Sequence, residues 1–260
     1  APVEGVEVWE ILRRRLFETV GNPAEHRQVA EAYWDYYRRH ADDLPRETRE
    51  PKYRELMARA YPFHPELIDI LYERWGSIPG FQRTRGVLRL LALVVGDLYR
   101  KRHPSPLIQP GHVDLGVQEI RRELVKYVGE AYETVLGSDV ADHGAKAQQI
   151  DQALGSEYAR ERVAQGLATS IFLYSHSGGR ERGGTEPQLR LAVLQPDVTP
   201  AIVADAVDRL SKRLRYLYGD GGAWRFSAEP NLNKILVERE DGVRREEIRE
   251  EVQRTLGEVV

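Results

Sequence analysis

The chain contains no cysteine and a single methionine among 260 residues. Disulfides, zinc–thiolate centres and thiol nucleophiles are therefore excluded. Long apolar runs are missing too. The longest, "LRLLALVVGDL", is interrupted by Arg89 and Asp97 and is far too short to span a bilayer. No basic-then-apolar leader opens the chain, so no membrane partner and a cytoplasmic location are expected. Net charge is −3, which gives no global attraction to nucleic acid; any such contact needs a local patch. The histidines at 26, 40, 64, 103, 112, 143 and 176 show no H-E-x-x-H spacing, so no metal site is expected. Ser175 and Ser177 flank His176, but no G-x-S-x-G elbow surrounds them. No catalytic residue is expected in these 260 residues.

What is present is a folded composition, with 41% apolar and 30% charged residues, enough for two or three modest cores. The opening "APVEGVEVWEIL" has no Met and reads as a segment of something longer. Val8, Ile11, Leu12 and Leu16 form one helical stripe, and Val29, Tyr33, Tyr36, Tyr37 and His40 another that starts at Pro23. "HPELIDILYERWG" predicts a helix capped near His64, with Pro65 in its first turn. "TRGVLRLLALVVGDLYRKR" is apolar most of the way round and predicts the central helix of a bundle. "HPSPLIQPG", residues 103–111, reads as a boundary. A long amphipathic helix is expected from Val117 to Val135.

From residue 157 the text predicts three helices and then a hairpin. "TPAIVADAVDRLSKRLR" is the third helix, capped by Thr199. "YLYGDGGAWRFS" is the hairpin, its turn at Gly219 to Gly222. That order is the pattern of a winged helix-turn-helix. The expected class is mainly α: a helical lid-like bundle plus a winged helix-turn-helix with a short β-hairpin. The expected division is residues 1–105, a connecting segment 106–156, the winged helix 157–240 and a C-terminal helix 241–260.

Gly178 to Thr185, within "SGGRERGGTEP", is one residue short of a phosphate-binding P-loop. Such a loop needs a lysine for the outer phosphates and a hydroxyl for magnesium. Gly184 stands where the lysine belongs, and no βαβ unit surrounds the loop. It reads as a turn.

The segments "FHPELIDILYERW", "FQRTRGVLRLLA", "ATSIFLYSHSGG" and "EPNLNKIL" carry a resemblance that covers most of the chain. In that order they resemble the large prokaryotic AAA-type ATPases of domain-of-unknown-function family four-nine-nine, often encoded beside DNA methyltransferases. The resemblance implies a lid, a connecting helical region and a winged helix, with the P-loop and acidic magnesium-binding strand upstream. ATP and magnesium would then belong to the parent protein, with no cofactor in this chain. A regulatory, non-catalytic role in phage defence or DNA processing is implied. The rest of the ATPase chain, further copies of it and DNA are the candidate partners. A free-standing winged-helix nucleic-acid binder and a helical protein-interaction scaffold are the alternatives.

By analogy with such lids, Arg85 and Arg83 at a helix start would sense nucleotide. A guanidinium is always charged and forks onto phosphate oxygens, and a cation is otherwise misplaced at the positive end of a helix dipole. One of Arg13, Arg14 and Arg15 could serve a neighbouring subunit as an arginine finger. Arg209, Lys212, Arg213 and Arg215, at the end of the third helix, and Arg225 in the wing are the candidate nucleic-acid contacts. Asp205 and Asp208 occupy the half of that helix that usually reads bases and would repel phosphate.

Overall fold

A computed structural model describes residues 5–155, 161–179, 183–196, 198–242 and 252–254. The start of the predicted winged helix, part of the glycine-rich loop and most of the predicted C-terminal helix lie outside them. The protein is mainly helical with one small three-stranded antiparallel sheet. Among the described residues, no helix is long and apolar enough to cross a membrane.

The first helices follow their local signals. α1 spans Gly5–Leu16 and buries Val8, Trp9 and Leu12, while Ile11 faces out. α2 spans Pro23–Arg39, and its start is closed by a capping box between Asn22 and Glu25. α3 spans Pro51–Ala60, for which the sequence carries no expectation. α4, Pro65–Asp69, is capped by His64, whose Nδ1 accepts the Glu66 N–H at 3.2 Å. It widens into a π-turn over Ile70–Arg74, followed by a tight turn at Trp75–Ser77. α5 runs over Arg83–Lys101.

The central helix is not α5. α5 buries one face only and leaves Tyr99 exposed. The centre is Val163–Ser175, labelled α9, which buries all 13 of its residues. Its serines mask that role in the sequence. Inside the helix they return their hydroxyls to the preceding turn, Ser170 to the Gly166 carbonyl at 2.8 Å and Ser175 to Ile171 at 2.6 Å. A hydroxyl satisfied by its own helix can be buried.

The expected long helix from Val117 to Val135 is two. α6, Gln118–Val128, stops at Gly129, whose φ of 107° no helix accommodates. α7, Tyr132–Val135, continues as a π-turn to Val140, and α8 follows at Lys146–Leu154. The proline-rich stretch 103–111 is held on both sides. Ile108 exchanges backbone hydrogen bonds with Pro62 and His64. The Gln109 side chain donates to the Leu191 and Leu194 carbonyls at 3.1 and 2.9 Å. One apolar core runs from Val8 to Phe226.

After α9 come β1 (Gly184–Thr185), α10 (Glu186–Leu191), α11 (Pro200–Arg213), β2 (Leu217–Asp220) and β3 (Ala223–Phe226). α12 follows at Leu232–Gly242. The sheet order is β1-β3-β2, all antiparallel. The hairpin turn is tighter than expected, because Gly219 and Asp220 belong to β2. Only Gly221 and Gly222 make the loop, both at positive φ as a two-residue turn of this type requires. Thr199 stands at the start of α11, but its side chain makes no capping hydrogen bond.

The glycine-rich loop is a packing device. Gly184 and Thr185 form β1 against β3, not a cradle leaving a parallel strand. Gly178 passes directly over the Trp75–Ser77 turn and donates its N–H to Ser77 Oγ at 2.9 Å. A Cβ at Gly178 would overlap the Ser77 carbonyl. Gly178→Ala is expected to lower unfolding free energy by about 1–3 kcal/mol, read as a lower urea midpoint. Gly179→Ala, which meets only ordinary contact, should stay within about 0.5 kcal/mol of the wild type.

Candidate functional site

The turn before α5 is one of the places where the two halves of the chain are joined. Trp75 is fully buried and donates Nε1–H to the Leu173 carbonyl of α9 at 2.8 Å. Its ring meets Phe81, Phe172 and His176. Arg74 Nη1 donates to the carbonyls of Tyr174 and Gly183, each at 3.1 Å, and its guanidinium lies over the Tyr174 ring. Tyr174 donates its hydroxyl to Glu66. Burial pushes the Glu66 carboxyl up to about 7 against the opposing effect of that hydrogen bond.

Arg83 and Arg85 leave this turn at the first residues of α5, and both are exposed. Gln82, before them, is left-handed at φ 58°, and Arg83 itself has φ 20°. Non-glycine residues held at positive φ cluster at functional sites. The Arg83 guanidinium sits 5.2 Å from the Tyr72 ring centroid, and Arg85 lies 3.4 Å from Gln82 Oε1. Among the described residues neither forms an ion pair with a carboxylate, so both keep their charge available.

The other predicted arginines are not brought to this place. Arg13 and Arg14 line an open cleft of about 1120 Å³ between α1, α2 and α3, which Arg15 does not line. Arg14 is paired with Glu10 at 3.5 Å. On α11 the basic residues are answered by the helix's own acids. Arg209 binds Asp205 at 3.0 Å and Lys212 binds Asp208 at 2.7 Å. Arg213 donates to Gln149 at 3.0 Å. Arg225 lies over the Tyr218 ring. Arg215 flanks the loop that Asp139 holds.

Sequence reasoning missed three carboxylates that fix this architecture. Asp151 on α8 accepts the Ala164 and Gln165 N–H groups at 2.7 and 3.1 Å, capping the buried start of α9 from a distance. Asp139 is fully buried and accepts the Tyr216 N–H at 2.8 Å, which pins the entry to β2. Asp114 receives Arg162 through both guanidinium nitrogens and Lys101 at 2.6 Å. Burial opposes its ionisation, but Arg162 and Lys101 outweigh burial and hold its carboxyl well below the usual range. Each pairs residues 13 or more positions apart, beyond any local signal. Among the described residues no group of His, Asp or Glu could hold a metal ion.

These features define a mainly helical protein in which a small antiparallel sheet and an arginine-bearing turn share one buried helix. The family model described as the DUF499 second domain matches residues 4–225, and the chain belongs to the DUF499 family. An uncharacterized protein of Archaeoglobus fulgidus is similar, 37% identical over 60 residues, which cover 22% of this chain and 79% of that protein. No solved structure matches the chain.

Proposed function

We propose that this chain is the lid and winged-helix portion of an AAA-type ATPase and acts as its regulatory, non-hydrolysing unit. The carrying observation is the joint at Trp75–Ser77. α9, β1, α10, α11, β2 and β3, with sheet order β1-β3-β2, have the element order of a winged helix. Their first helix grips the same turn that presents Arg83 and Arg85. A phosphate drawn to Arg85 would therefore pull on a body that includes the wing. ATP and magnesium would be held by another part of the parent protein. Arg13 or Arg14 would reach a neighbouring copy, in a setting of phage defence or DNA processing.

DNA reading by α11 is the weaker alternative. The pairs Asp205–Arg209 and Asp208–Lys212 would have to open first, and a packing role on protein leaves them intact. The test is Arg85→Ala in a full-length DUF499 protein that hydrolyses ATP. One charge-assisted hydrogen bond to the reacting phosphate is worth about 1.5–3 kcal/mol, so turnover should fall roughly 10- to 100-fold with the fold intact. Unchanged turnover would overturn the sensor role. Robust hydrolysis by these 260 residues alone would overturn the regulatory reading.

A further inference from the structure

We infer that the groove beside the C-terminal end of α5 is a track for single-stranded nucleic acid. It has a volume of about 650 Å³, with walls that include Phe17, Tyr61, Val95 and Tyr99, and it carries Arg100 and Arg102. None of its lining residues belongs to α9 through β3, so binding there requires neither the ATPase assignment nor the winged helix.

Charge separates this groove from two other clefts. No carboxylate lines it. The cleft beside α1 mixes its arginines with Glu10, Glu18, Glu31 and Glu55, and the pocket beside Arg162 contains Asp97, Asp114 and Glu161. The Arg100 side chain is 71% exposed and only loosely paired. It lies 3.9 Å from Asp97, whose closer partner is Lys101 at 2.6 Å. Arg102 is exposed and forms no ion pair among the described residues. A carboxylate-free basic groove on a chain of net charge −3 is the local patch that a polyanion needs.

Two further features favour nucleic acid over an acidic peptide. Tyr99 is 84% exposed on the rim, and an aromatic ring standing in water is a stacking platform for an unpaired base. An acidic peptide would satisfy the arginines but leave that ring unused. Arg102 occupies the left-handed residue that ends α5, at φ 50°, with its N–H bonded back to Leu98 and Tyr99. Glycine is the favoured residue there. A non-glycine residue held at positive φ points to a role for its side chain.

The probe is a fluorescein-labelled 20-nucleotide oligothymidylate, titrated with the 260-residue chain at low salt and read by anisotropy. Saturable binding that weakens with added salt is expected. Tyr99→Ala should raise Kd about 10-fold or more, by loss of one stacked base. Arg100→Ala combined with Arg102→Gly should lower the slope of log K against log salt by about 1.4, two phosphate contacts on a single strand. Arg102→Gly alone should raise the melting temperature while weakening binding, which separates ligand loss from unfolding. Lys212→Glu with Arg213→Glu should leave binding within about 2-fold, because a reversal that harmless puts the interface off α11. No saturable binding, or binding indifferent to Tyr99→Ala and the arginine pair, overturns the proposal. So does polyglutamate that displaces the oligonucleotide and binds through the same residues, which would make the groove a peptide site.

Discussion

Trp75→Ala is expected to lower the unfolding free energy by about 3–5 kcal/mol, the range for truncating a fully buried aromatic side chain. Three effects act together. The indole leaves a cavity among Phe81, Phe172 and His176. The Leu173 carbonyl loses its 2.8 Å partner in the interior. The turn over which Gly178 passes, and which leads to Arg83, loses its Trp75 attachment to α9. Trp75→Phe keeps most of the volume but not the N–H, and should cost about 1–3 kcal/mol. Urea denaturation with an unchanged m-value measures both. A loss below about 1 kcal/mol for Trp75→Ala would mean that the two halves are not joined there.

Glu66 should make stability depend on pH through the same joint. Its carboxyl is pushed up to about 7 in the folded protein, from 4.5, chiefly by burial. The groups facing it are the Tyr174 hydroxyl, Asp69, Glu47 and Arg74. A raised carboxyl means that the folded state holds the proton more tightly. The associated stability is present in full below pH 4.5 and is lost as pH rises through about 7. Other groups act in the opposite sense, His64 and His112 among them. Burial pushes both histidines down to about 3, so their contribution is present above 6.5 and is lost on acidification. The difference between Glu66→Gln and wild type isolates the carboxyl. It should favour the variant by about 2 kcal/mol more at pH 8 than at pH 5, with Gln Oε1 still accepting the Tyr174 hydroxyl. Parallel pH curves for the two proteins would show that Glu66 does not titrate in this range.

The helix starts at Pro23, Pro65 and Pro200, the cap at His64 and the hairpin around Gly221 and Gly222 were legible in the sequence. Each is decided within a few residues by a fixed φ, a short side chain or a positive-φ turn. α3 and α8 were not legible. Their stripes are short, and "PKYRELMARA" sits directly after polar, proline-punctuated text. The arginines at the head of α5 could be nominated from residue type and helix position. The joint beneath them could not, because Trp75 and Leu173 are 98 positions apart.

By itself the sequence determined the helical class, the hairpin, the lack of a lysine-bearing phosphate loop and membership of the DUF499 family, which the family match bears out. Only the tertiary structure decided which helix is central, where the long amphipathic stripe breaks and what becomes of each charge. The physical reason is range. A cap or a turn is a contest between neighbours along the chain. Whether a serine-bearing helix can be buried, or an arginine is already neutralised, depends on what the fold sets beside it: Ile171 behind Ser175, Asp205 beside Arg209, Asp151 over the start of α9.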